Sequence, residues 1–187
     1  MASDRQVLIM EAAVRVIARS GVRGLRVEQL AAEAGVSTAL IYYHFKDRSG
    51  LIRRTLEFVS DRAVAYTDEA IARADDARGE LEQMLLTELQ DTPGVRENST
   101  AWGELRASAV FESDDLRDAL ARSTRSWVND VAEAIRAARP DANAEDAAER
   151  LTALVEGLSE RWLSGSLALE RARELLRGAI AIELDAG

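Results

Sequence analysis

Between Gly35 and Phe45 the chain reads Gly-Val-Ser-Thr-Ala-Leu-Ile-Tyr-Tyr-His-Phe, and Lys46 and Arg48 follow at once. On a helix, Thr38, Ala39 and Tyr42 share one side, at spacings of three and four. Ile41 and Phe45 lie four apart and point into a core. The outward set is small, hydroxyl-bearing, aromatic and, at its end, cationic. It holds no nucleophile beside a base. Its chemistry is that of hydrogen bonding to phosphate oxygens and base edges in a DNA groove. A short helical hairpin with a solvated face would use the same residue types, so the flanking segments decide.

Those flanks read as helices. Ile9, Met10, Ala13, Val16 and Ile17 mark one face of a helix over 4–20 that stops at Ser20-Gly21. Val27, Leu30 and Ala31 mark a second, shorter one. Gly35 supplies the positive φ that ends it in a tight turn. Ser37 offers a hydroxyl to cap the third helix, over Thr38 to about His44. Two helices, a turn and a third helix form a helix-turn-helix.

With Glu11-Ala12-Ala13, Gly21, Leu30-Ala31, Gly35-Val36-Ser37, Ile41-Tyr42 and His44-Phe45 in this spacing, residues 7–56 resemble the DNA-binding domain of the TetR family of bacterial repressors. The resemblance implies that Thr38, Ala39 and Tyr42 meet base edges, while Ser37, Tyr43, His44, Lys46 and Arg48 meet phosphates. Arg48 stands where the family has Lys, and Leu40 where it has a polar residue, exchanging a phosphate contact for a thymine methyl. Arg26 replaces the usual Thr or Ser cap of the second helix. Its loss costs about 1 kcal/mol, and the guanidinium offers a phosphate contact instead. Glu28 suits the positive end of that helix; a hydrogen bond from cytosine N4 is its alternative.

Composition bounds the rest. In 187 residues, 47% are apolar and only two are proline, so an all-α protein of about nine helices is expected. There is no uncharged apolar run of about 18 residues to span a membrane and no apolar signal-peptide core after the N-terminus, so the expected location is the cytoplasm. No cysteine and a single histidine, His44, leave no thiolate site, no histidine-based metal cluster and no Ser-His-Asp triad. No phosphate-binding glycine loop appears. Catalytic residues, metals and cofactors are therefore expected to be none. The net charge is −9, yet residues 1–58 carry nine Lys+Arg and six Asp+Glu, whereas 59–187 carry fifteen and twenty-seven. A basic head on an acidic body suits a DNA partner.

The expected division is a DNA-binding domain over 1–48 and an effector-binding and dimerisation domain over 49–187, opened by one long connecting helix. Ser113-Asp114-Asp115 reads as the capped start of another long helix. Beyond residue 143 the chain is similar to the C-terminal domain of the choline-responsive repressors within the same family, through Leu-x-x-Leu-Val-x-Gly-Leu at 151–158 and Ala-x-x-Leu-Leu-x-x-Ala-Ile at 172–180. That similarity implies a homodimer, with Leu151, Leu154, Val155, Leu158, Leu175, Leu176 and Ala179 in a four-helix seam, and a pseudo-palindromic operator. The family also implies a small-molecule effector whose binding releases DNA. The large side chains Met84, Trp102, Phe111, Trp127 and Trp162, with Leu105 beside them and Tyr66 at the mouth, are the candidates to line its pocket. Each alone also reads as core. Glu104 and Glu112 would favour a cationic ligand.

Overall fold

The computed structural model describes residues 3–112 and 114–185. Among these, nine helices and no strand are found: α1 (Asp4–Gly24), α2 (Val27–Ala34), α3 (Thr38–Phe45), α4 (Arg48–Ile71), α5 (Ala77–Leu86), α6 (Pro93–Ser108), α7 (Asp114–Ala138), α8 (Ala144–Leu163) and α9 (Leu169–Asp185). The capping role expected of Ser113 lies outside the described residues. None of these helices is long and apolar enough to cross a membrane.

Local chemistry sets most boundaries. Ser3 and Gln6 form a reciprocal capping box at the start of α1, and Gly21, at φ 68°, breaks that helix where the sequence places its stop. α2 begins at Arg26 with no side-chain cap, as its residue type dictates. It ends at Gly35, φ 63°, where the Gly35 N–H donates to Ala32 and the Val36 N–H to Ala31, the paired bonds of a Schellman turn. The Ser37 hydroxyl then accepts from the Leu40 N–H at 3.2 Å and caps α3.

Packing divides the chain into two compact units. Unit one holds residues 1–62 and 97–123, and unit two holds 63–96 and 124–187. This grouping by packing differs from the segments at 48/49, because the first part of α4, most of α6 and the start of α7 pack with the head. Ile9, Ile17, Leu30, Ile41, Phe45, Leu51, Ile52, Leu56, Leu105 and Leu116 share one core there. The second core gathers Leu81, Leu85, Leu89, Val131, Ile135, Leu151, Val155, Leu158, Leu176 and Ile180. Unit one carries 13 Lys+Arg and 13 Asp+Glu; unit two carries 11 and 20. The whole net charge of −9 therefore resides in unit two.

Candidate nucleic-acid interface

The third helix is short and two-faced, and its two faces have different fates. Ile41 and Phe45 are buried in the core of unit one. Ser37, Thr38, Ala39, Tyr42 and Tyr43 are exposed, with Leu40 and His44 half-buried beside them. Tyr42 keeps half of its surface in solvent and Tyr43 80%. An aromatic residue left this open on an eight-residue helix gives the fold nothing, since its transfer energy is realised only on burial. The Tyr43 ring meets His44 edge-on with centroids 5.1 Å apart, which orders both at the end of the helix. Arg26, Glu28 and Lys46 are exposed as well.

Two features hold the helices around this face. Glu33 of α2 receives Arg15 at 2.9 Å and Arg19 at 2.6 Å, both from α1. The Arg19 hydrogen bond, followed by that of Arg15, holds the Glu33 carboxyl below the usual glutamate range. The second feature is the exit of α3. Lys46 adopts φ 62°, ψ −58°, and the Asp47 N–H donates to the Phe45 carbonyl at 2.7 Å. That is a γ-turn, a strained conformation for a residue with a side chain. Asp47 then caps α4 by accepting from the Gly50 N–H at 2.7 Å. A Cβ at Gly50 would lie 2.5 Å from the Phe45 carbonyl oxygen, so only glycine fits. Sequence reading missed Gly50, although a glycine three residues beyond an Asp at a helix start was the available signal.

Arg48 does not join the outward set. Its Nη2 donates to the Val22 carbonyl at 2.8 Å and its Nη1 pairs with Glu112 at 3.1 Å. Glu112 is itself at the turn between α6 and α7, where Arg117 donates to its carbonyl at 3.1 Å. Arg23 stacks on Phe111 of the same turn at 5.1 Å. The Glu104 carboxylate lies against Gly21. The guanidinium of Arg48 is thus engaged by two partners of the same unit, Val22 and Glu112.

The seven residues expected to line a pocket fall into both units. Trp102, Leu105 and Phe111 belong to unit one, and Tyr66, Met84, Trp127 and Trp162 to unit two. Leu105 is a fully buried core residue. Phe111 is 74% exposed, because its turn projects it into solvent over Arg23 rather than into a cavity. In unit two, the Tyr66 hydroxyl donates to Glu88 at 2.8 Å. Met84 and Trp127 pack at the margin of the second core, and Trp162 is buried in it.

The seam residues divide similarly. Leu151, Val155, Leu158 and Leu176 are consumed by the chain's own core and have no surface to offer a second copy. Leu154 and Ala179 are half-buried, and Leu175 is partly exposed. Ile182, absent from the expected set, is 69% exposed and continues the stripe of Leu175 and Ala179 at helical spacing. A Cβ at Gly157 of α8 or Gly178 of α9 would meet nothing within 4 Å. Leu154, Gly157, Leu175, Gly178, Ala179 and Ile182 thus leave apolar surface on α8 and α9 uncovered by the chain's own core.

Comparison with known proteins places this arrangement. Residues 9–55 match the family of bacterial regulatory proteins named for tetR, and residues 77–185 match the C-terminal domain of BetI-type transcriptional repressors. The chain belongs to the TetR family. It is 28% identical over 174 residues to the HTH-type transcriptional regulator BetI of Burkholderia ambifaria, covering 90% of this chain and 85% of that one. A TetR-family regulator of a Rhodococcus species is 48% identical, with a TM-score of 0.89 over 98% of this chain and 100% of that one. A transcriptional regulator of Saccharomonospora viridis, solved in complex with choline, is 27% identical, with a TM-score of 0.83 over 97% of each chain. These TetR-family relatives are transcriptional regulators and not enzymes.

Proposed function

We propose that this TetR-family regulator is a homodimeric repressor that reads a pseudo-palindromic operator in the cytoplasm and is released from it by a small cationic effector. The observation that carries the DNA half is the solvent-facing Thr38, Ala39, Tyr42 and Tyr43 on a helix whose opposite face is locked in the core. Thr38, Ala39 and Tyr42 take base edges. Leu40 takes a thymine methyl, and Ser37, Tyr43, His44, Lys46 and Arg26 take phosphates. Glu28 serves the α2 dipole.

One eight-residue helix reads too few base pairs to specify an operator, and two-fold pairing doubles the site. The apolar surface of Leu154, Gly157, Leu175, Gly178, Ala179 and Ile182 supplies the seam. A segmentation at about residue 48 remains the functional one: the head ends where α4 begins, and α4 carries residues of both packing units.

The effector reading rests on the concentration of the full −9 charge in unit two and on the choline complex of the Saccharomonospora viridis neighbour. A negative body draws cations, and release requires that the ligand bind the DNA-incompetent state more tightly. Tyr66, Met84, Trp127 and Trp162 are the side chains nearest to that role. Gel shift with the DNA upstream of the chain's own gene, with and without choline, tests the proposal. A specific shift reversed by choline is expected. Absence of any specific shift would sink the DNA reading, and a shift indifferent to choline and to other small amines would sink the effector.

A further inference from the structure

We infer that the ring of Trp162 is a cation subsite that the protein fills with its own Arg96, so that Arg96 acts as a tethered competitor of the effector. The inference rests on the effector-released reading above and specifies one of its subsites. Within unit two, the Arg96 guanidinium carbon lies 5.1 Å from the centroid of the Trp162 ring, within the range of a cation–π contact. The two partners differ in mobility. Trp162 is 7% exposed on the last turns of α8, held in the second core. The Arg96 side chain is 44% exposed, on the first turn of α6, with Nη1 3.0 Å from the exposed Asp91. Thr92 caps that turn by accepting from Val95 at 3.3 Å, and Pro93 opens it, so its backbone is fixed while the side chain is free to leave. A fixed aromatic face under a displaceable cation is the arrangement a cationic ligand exploits.

A second observation gives the ligand its other functional group. Ser159 lies three residues before Trp162, on the same side of α8, and is 8% exposed. Its hydroxyl has no hydrogen-bond partner. Buried hydroxyls are normally satisfied, and this one lies one turn from the tryptophan whose ring Arg96 covers. The subsite therefore suits a small ammonium compound that also carries a hydroxyl. Swinging the exposed Arg96 side chain off the ring into solvent uncovers it, and the ligand's hydroxyl meets Ser159. Self-occupancy lowers the apparent affinity by the fraction of molecules in which Arg96 covers the ring. Arg96 thereby sets the effector concentration at which the operator is released.

The test is calorimetric titration of the full-length protein with choline and with tetramethylammonium, which lacks the hydroxyl. Arg96→Gln should bind choline roughly three- to tenfold more tightly than wild type, since the competitor is gone. Trp162→Leu should lose binding and Trp162→Phe should keep most of it, the latter guarding against a folding defect. Ser159→Ala should weaken choline severalfold and leave tetramethylammonium unchanged. Choline affinity unaltered or reduced in Arg96→Gln would overturn the inference. So would failure of wild type and Arg96→Gln alike to bind either cation. Operator binding, and its release by some other compound, would in that event still stand by gel shift, which separates this failure from failure of the regulator reading.

Discussion

Arg48 and Glu112, 64 residues apart in the chain, are joined at 3.1 Å, and the same guanidinium also grips the Val22 carbonyl. One side chain at the first residue of α4 thus ties the last turn of α1 to the turn between α6 and α7. Its loss would loosen the support under α3 without removing a contact to DNA. Phosphate contacts and internal supports leave different signatures. Each neutralised phosphate adds about 0.9 to the slope of log affinity against log salt. Arg48→Gln should weaken operator binding with an unchanged slope, whereas Lys46→Gln should flatten the slope by about one. A slope lowered by about one in Arg48→Gln would return Arg48 to the phosphates.

Tyr42 stands on the exposed side of α3 with half of its surface free. Tyr42→Ala should cost roughly 1–3 kcal/mol of specific operator binding and leave thermal stability near wild type. Fluorescence anisotropy with operator and scrambled duplexes checks it. Equal loss on both duplexes would make Tyr42 a phosphate contact instead of a reader.

Leu175→Glu and Ile182→Glu place charge on the outer face of α9, where solvent already reaches, so both variants should fold. Light scattering at micromolar concentration should find monomers that no longer bind the full operator. Leu158→Glu is a different experiment. That residue is part of the second core, and a carboxylate there should depress the melting temperature severely, because a buried unpaired charge is costly. Stable dimers of Ile182→Glu and Leu175→Glu would move the seam elsewhere.

Arg150 grips both carboxylate oxygens of Glu183, at 2.6 and 2.7 Å, and binds α8 to α9. Its hydrogen bond holds the Glu183 carboxyl below the usual glutamate range despite partial desolvation. A depressed carboxyl stabilises the fold above its unfolded value, and that contribution fades as pH falls through the folded one. Arg150→Gln should therefore melt earlier than wild type at pH 7, with the gap closing as pH drops below the ordinary glutamate value of 4.5. Thermal melts across pH 7 to 3 measure this. A gap that stayed constant with pH would mean that Arg150 acts through packing alone.

The head was legible because its determinants are local. Gly35, Ser37 and the period of Ile41 and Phe45 act within one or two turns of the chain, and the caps and buried face follow from them. The Arg48 partners Val22 and Glu112 were not legible, because tertiary packing brings them to it and charge and position cannot reveal them. The burial of half the expected seam in the chain's own core was hidden for a related reason. Periodicity shows that Leu158 and Leu176 face something apolar, but not whether that something is the same chain. Only its exposure shows that Ile182 continues the outer stripe. Large aromatic side chains gave the weakest guide, since Trp102 and Trp162 pack with separate cores and Phe111 with neither.

The tight junction from Phe45 to Gly50 bears on the redesign of operator preference. Because Lys46 is bent into a γ-turn and Gly50 leaves no room for a side chain under the Phe45 carbonyl, this link behaves as a molded bracket rather than a hinge. New base-reading residues can be exchanged at 38, 39 and 42, since nothing in the bracket depends on them. A whole recognition helix borrowed from another regulator would have to arrive with its own bracket through position 50. Otherwise it would sit on α4 at a foreign angle, and its side chains would reach for the wrong base pairs.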